Sequence, residues 1–245
     1  MRLVAAALHD IKFQYKHGFY FIYTFMVVFY IILMGILPDA WKGGATVAVL
    51  FMDPAALGFF FIGGILLLER GERVLDQLFV SPLRVWEFVL AKAISLGIIS
   101  VLAGVVIAFI SLGTQIDIII LILSLLFGSA FYTFAGLAAG IRAKTVNQFM
   151  IITVPAGLLL SAPPILLVFG VKSGLLELMP GSLILRLLQH CTGTISSGST
   201  HTAPAFMLIG LILWSVPAFL LAIDRMKWFL SNIGGSGYEA DNKTA

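Results

Sequence analysis

One cysteine, Cys191, is all that the 245 residues contain. No intrachain disulfide can form, and no cysteine cluster can hold a metal. Charge is nearly as scarce, since Asp, Glu, Lys and Arg make up only 11% of the chain. A glycine-rich loop ending in Lys beside Ser or Thr, whose amides would cradle phosphate, is missing. Lys144-Thr145 has no such loop before it, so nucleotide is not expected to bind here. No H-E-x-x-H run occurs. The stretch "GGSG" at Gly234 to Gly237 imitates a serine-protease turn, but it lies in a polar tail. No histidine sits deep in an apolar run to serve as its base. Catalytic residues, metal ligands and a resident cofactor are therefore not expected.

What is plentiful is hydrocarbon. A hydrophobic share of 60% and a mean hydropathy of +1.06 lie far above ordinary soluble domains. Lipid must solvate much of such a surface. A helix needs ~20 apolar residues to cross a bilayer. Uncharged runs of that order cover Gly18 to Leu37, Ala93 to Ile116, Ile118 to Ile141, Thr145 to Val171 and Ala203 to Ile223. Gly43 to Leu68 adds a sixth, interrupted by Asp53-Pro54. The prediction is an all-α membrane protein with six transmembrane helices. One six-span membrane domain would cover residues 1–230, followed by a polar tail, 231–245, disordered beyond Asn232.

The placement of charge gives the orientation. With both termini cytoplasmic, twelve Lys and Arg fall inside, leaving Lys42, Lys172 and Arg186 outside. This is a positive-inside bias, so the basic balance reports topology and does not point to nucleic acid. The first 17 residues lack a cleavage site and carry Asp10, so no cleaved leader is expected. Val4, Leu8, Ile11 and Tyr15 share one helical face, with Lys12 and Lys16 elsewhere. That pattern predicts an amphipathic helix at the membrane surface. Tyr20 and Tyr23 would follow as part of an interfacial aromatic belt.

Asp53 admits two readings. As the residue before Pro54 it would cap a second span starting there, with residues 44–52 a short external or re-entrant piece. If it lay at mid-depth, its charge would cost ~2.5–3.5 kcal/mol and mark a site for a cation or cationic cargo. Pro155, Pro163 and Pro164 predict a broken fifth span. "MPGSLILRLLQH" reads as a short amphipathic or re-entrant helix in the external segment, residues 172 to 202. Gly136 and Gly140 suit close local packing, and Phe59, Phe60 and Phe61 suit lipid contact.

Eight of the scarce charges crowd between Glu69 and Lys92. Glu69, Arg70, Glu72, Arg73 and Asp76 would extend the second span into the cytosol as an ion-paired helix. "SPLRVWEF" then predicts a short cytoplasmic helix with Ser81 as its cap and Pro82 at its first position. A solvated elbow and a docking surface for a cytosolic partner both fit this pattern.

The stretch "LLERGERVLDQLFVSPLRVWEFVLAKAIS" and the later "LMPGSLILRLL" resemble the ABC type-2 permeases, the ABC-2 membrane family. The likeness covers residues 1 to 228. Within it, "MDPAALGFFFIGGILLLERGE" is similar to small drug-export permeases of the fluoroquinolone-exporter kind. The resemblance implies a permease subunit in the cytoplasmic (inner) membrane. A second permease copy and two copies of a separate ABC ATPase subunit would complete the transporter. By carry-over, Glu69, Arg70, Glu72, Arg73 and Asp76 would couple to the ATPase. Ser81, Pro82, Leu83, Arg84, Trp86 and Glu87 would form the coupling helix between spans two and three. The family's geometry would place Thr153 and Ser161 beside a hydrophobic or amphipathic cargo, with Asp53 a further candidate on that path. The rival readings are a stand-alone secondary transporter and a non-transporting membrane assembly subunit.

Overall fold

The computed structural model describes residues 2–72, 74, 83–114, 116–169, 173–194 and 203–241, and the described residues hold helices and no strand. Helix α1 (Arg2–Lys16) turns at Gly18 into α2 (Phe19–Ile36). Gly18 makes that turn with φ +74°, a conformation that a side chain would strain. Next come α3 (Asp39–Ala55), a π-helical turn (Ala56–Phe61) and α4 (Ile62–Gly71), together one apolar rod. Helices α5 (Val85–Leu112), α6 (Ile118–Gly140) and α7 (Val146–Val168) follow. The short α8 (Gly174–Glu177) and α9 (Pro180–Cys191) precede the last helix, α10 (Pro204–Asp241). Among the described residues, six helical segments are long and apolar enough to cross a membrane, in agreement with the count of apolar runs.

Three boundaries differ from expectation. The second span does not begin at Pro54, because its helix starts at Asp39 and runs on through Asp53. The third span begins at Val85, before the apolar run that announces it. The last helix continues to Asp241, past the point where a disordered tail is predicted.

Two contacts define the ends of the bundle. The Asp117 amide donates to the Cys191 carbonyl at 3.1 Å, so α9 lies where α6 begins. Arg70 donates to the Ile141 and Ala143 carbonyls, so α4 ends where α6 ends. We refer to these as the α9 end and the elbow end.

Apolar packing follows the same division. Leu50, Ile107, Leu121, Leu125, Ile184 and Leu211 form the core towards the α9 end. Phe13, Ile65, Val89, Leu96, Leu137 and Met226 form the core at the elbow end. Helices α5 and α6 sit centrally. By contrast only 11% of the most apolar stretch of α2, and 22% of that of α7, is buried. Those two helices offer their side chains to lipid or to another chain.

Glycines set the closest approaches. A methyl at Gly136 would stand 2.6 Å from the Phe59 carbonyl oxygen, and one at Gly58 would stand 2.8 Å from that of Ser129. The π-helical turn is thus pressed backbone to backbone on α6, the local packing expected of Gly136. Gly140 lies against the Phe149 ring in the same way. α9 matches the amphipathic helix read from "MPGSLILRLLQH", starting with Pro180 in its first turn and burying Leu183, Ile184, Leu187 and Leu188.

Candidate functional site

At the elbow end, α1, α4 and α5 meet over buried charged groups set within hydrocarbon. Lys92 on α5 pairs with Glu69 on α4 and, at 2.6 Å, with Asp10 on α1. Gln14 donates to the Ser95 hydroxyl at 3.0 Å one turn further along both α1 and α5. Lys92 is fully buried, and Asp10 and Glu69 are 4% and 1% exposed. The Phe88 ring covers the ammonium from 4.9 Å. Burial pushes the Asp10 carboxyl above its ordinary range, and the neighbouring ammonium only partly offsets this. Helix α1 therefore buries Asp10 and Gln14 beside Ala7 and Phe13 and leaves Val4, Leu8 and Tyr15 exposed.

The residues beyond this junction divide into two groups. Arg70 is held inside, donating to the carbonyls of Ala143 at 2.5 Å and Ile141 at 3.0 Å with Phe229 stacked beneath it at 4.4 Å. Those carbonyls close the end of α6, where a cation suits the helix dipole. Glu69 is thus a buried tie and Arg70 a half-buried one, a distinction that the charge pattern, which fits a solvated elbow and a docking surface alike, does not make. Glu72 reaches the surface and pairs with His17 at 3.1 Å, and Trp86 is 40% exposed. Arg73, Asp76, Ser81 and Pro82 lie outside the described residues. Leu83 and Arg84 precede the helix, and Glu87 accepts from the Arg84 amide at 2.7 Å to start α5 at Val85. The separate short helix expected from Pro82 onward is absent among the described residues; Trp86 and Glu87 belong to the first turn of the third span instead.

Asp53 is not a helix cap. It sits within α3, buried, and accepts from the Tyr23 hydroxyl of α2 and, at 2.8 Å, from the Ser100 hydroxyl of α5. Tyr23 accordingly leaves the expected interfacial belt and is itself buried. The side chain ties three spans together and does not line the cavity beside it.

That cavity, about 380 Å³, opens between the second and fifth spans and reaches α9. Met52, Phe60, Gly157, Leu158, Ser161 and Leu185 are among its walls. Ser161, the candidate from the fifth span, supplies the polar side chain of this lining. Thr153 does not join it, because it is buried and its hydroxyl donates to the Phe149 carbonyl of its own helix at 2.8 Å. Phe59 is core and Phe60 lines the cavity, so the phenylalanine run is not simply lipid contact.

Sequence reasoning missed Asp10, Lys92, Tyr23 and Ser100 as site residues. Their signal was faint: a lone charge or hydroxyl at the edge of, or within, an apolar run, with partners far away in sequence.

Comparison with known proteins adds to the geometry. A family model described as the fluoroquinolones export permease protein family matches residues 1–223. Two curated relatives are fluoroquinolones export permease proteins of Mycobacterium tuberculosis, from strains CDC 1551 / Oshkosh and ATCC 25618 / H37Rv. Each is 29% identical over 165 residues, which is 67% of this chain and 69% of the relative.

Proposed function

The chain belongs to the fluoroquinolones export permease protein family, and we propose that it is the permease subunit of an ATP-driven drug exporter in the cytoplasmic membrane. The cargo is a hydrophobic or amphipathic compound moved outward. ATP is hydrolysed on a separate ABC ATPase, present in two copies, and a second permease copy completes the pathway.

The observation that carries this reading is the apolar cavity between spans two and five. Its volume of about 380 Å³ lies within the ~300–1,000 Å³ common for small-molecule sites. Its walls are methyl, methylene and aromatic groups with the Ser161 hydroxyl among them. Such a lining retains a bulky lipid-soluble molecule by desolvation and orients it by one polar contact. The largely exposed α7 forms one wall, which suits a path completed by lipid or by a second copy.

The elbow is the point where ATPase motion enters. Glu72 and Trp86 present a surface for the partner. Glu69, Arg70 and Lys92 carry the displacement to α5, α6 and α1 through buried and half-buried ties.

Drug efflux from cells expressing the permease with its ATPase tests the reading. Leu158→Trp, which places an indole in the cavity, should slow efflux by an order of magnitude or more while membrane insertion is unchanged. Normal efflux by this variant would remove the cavity from the transport path.

A further inference from the structure

The signs in the Asp10, Glu69 and Lys92 junction do not balance. Two carboxylates meet one ammonium, and all three groups are buried. If both acids were ionised, the junction would hold a net negative charge away from water, a state that burial strongly disfavours. Carboxylates sharing one site escape this by retaining a proton between them.

The hydrogen bonding has a matching deficit. Asp10 and Glu69 each use one oxygen on Lys92, and the other oxygens, Asp10 Oδ2 and Glu69 Oε2, are buried without a partner. Gln14 in the same junction donates to Ser95, yet its Oε1 is also buried and unpartnered. The junction thus has acceptors that lack hydrogens. A proton on one carboxyl converts an acceptor oxygen into a donor and removes the surplus charge in the same step.

The neighbouring titratable groups do not offset that surplus in full. His9, beside Asp10 on α1, is exposed, and its charge lowers the Asp10 carboxyl by less than burial raises it. His17 is paired with Glu72. Arg70, next to Glu69, is committed to the α6 carbonyls and Phe229. Glu87 is engaged at the start of α5 with the Arg84 amide.

We propose that Asp10 and Glu69 share one exchangeable proton, so that this junction is a proton-binding site latching α1 onto the foot of spans two and three. With the proton bound, the acids and Lys92 are neutral as a group and α1 is held. Loss of the proton as pH rises leaves an unbalanced carboxylate, and α1 loosens from α5. The upward displacement of the Asp10 carboxyl by burial is consistent with this. Its folded value lies above the ordinary 3.8. Between those values the folded chain holds more protons than the unfolded chain, so stability is full below the ordinary value and falls as pH rises.

The test uses the purified full-length permease in detergent. Tm is recorded from about pH 4 to pH 8, a range that starts near unperturbed carboxylates, for wild type, Asp10→Asn and Glu69→Gln. Wild type should lose Tm with rising pH by the slope of about one proton. Either amide variant, left with one carboxylate against one ammonium, should lose that slope. Because a variant that fails to fold reports nothing, infrared spectra supply a second readout in an Asp53→Asn background. A protonated-carboxyl carbonyl band should be present at the acidic end and fade over the same range as Tm. Absence of that band, or an unchanged Tm slope in both folded amide variants, would overturn the proposal and leave the orphan oxygens to bound water.

Discussion

Lys92 holds Asp10 at 2.6 Å across 82 positions of sequence, pinning the N-terminal helix to the foot of the third span. A dry contact of this kind is asymmetric: removing one partner exposes the cost of burying the other. Lys92→Met should therefore cost ~3–5 kcal/mol. The triple variant Lys92→Met with Asp10→Asn and Glu69→Gln should recover much of that loss, because no unpaired charge remains. Thermal unfolding in detergent distinguishes the two. Equal instability would mean that charge balance is not what matters at the junction.

The π-helical turn is braced by backbone contact. A methyl at Gly136 would stand 2.6 Å from the Phe59 carbonyl oxygen and 2.8 Å from its Cα, atoms that cannot swing aside. Gly136→Ala should cost about 1–3 kcal/mol, the usual range for overpacking. Gly140→Ala should cost less, because it meets only the Phe149 ring. The ordering of the two melting temperatures checks the claim.

The division of the elbow into outward and inward residues predicts two phenotypes. Trp86→Ala combined with Glu72→Lys should weaken copurification of the proposed ATPase partner at least tenfold, since a buried Trp anchor at an interface is worth ~2 kcal/mol or more. Glu69→Gln should leave association intact and alter pH-dependent stability instead. If Glu69→Gln alone abolished association, the buried position of that side chain would not describe the assembled transporter.

Cys191 offers a chemical check on α9. Its thiol is buried, and that burial, with Asp117 adding to it, pushes its pKa up to about 12. Only the thiolate is nucleophilic, so at neutral pH the folded protein should alkylate slowly. The rate should climb as pH rises towards that value and jump on unfolding. Rapid labelling of the folded chain at pH 7 would place α9 elsewhere.

Much of the architecture is legible because lipid imposes a length on each apolar run. The spans, the amphipathic α9 and the close packing at Gly136 all follow from local composition. Asp53 shows where local signals fail. The Asp-Pro pair suggests a helix start, but the hydroxyls of Tyr23 and Ser100 satisfy the carboxylate inside a helix that began at Asp39. Those donors come from other spans, and no spacing rule connects them. Glu69 and Arg70 show the same limit: charge density announces an elbow, while only packing decides which charges turn inward. Tyr23→Phe should accordingly destabilise the fold by about 1–3 kcal/mol, as expected when a buried acceptor loses its donor. It should leave drug selectivity unchanged, because Asp53 does not line the cavity.

The central claim is that cargo occupies the space between spans two and five. Photoaffinity labelling of the purified permease with a photoreactive analogue of an exported drug, read by peptide mass spectrometry, tests it most directly. Modified peptides should contain Phe60 and the stretch from Gly157 to Ser161, and unlabelled drug should compete for them. Labelling confined to other helices, with those peptides unmodified, would contradict the account.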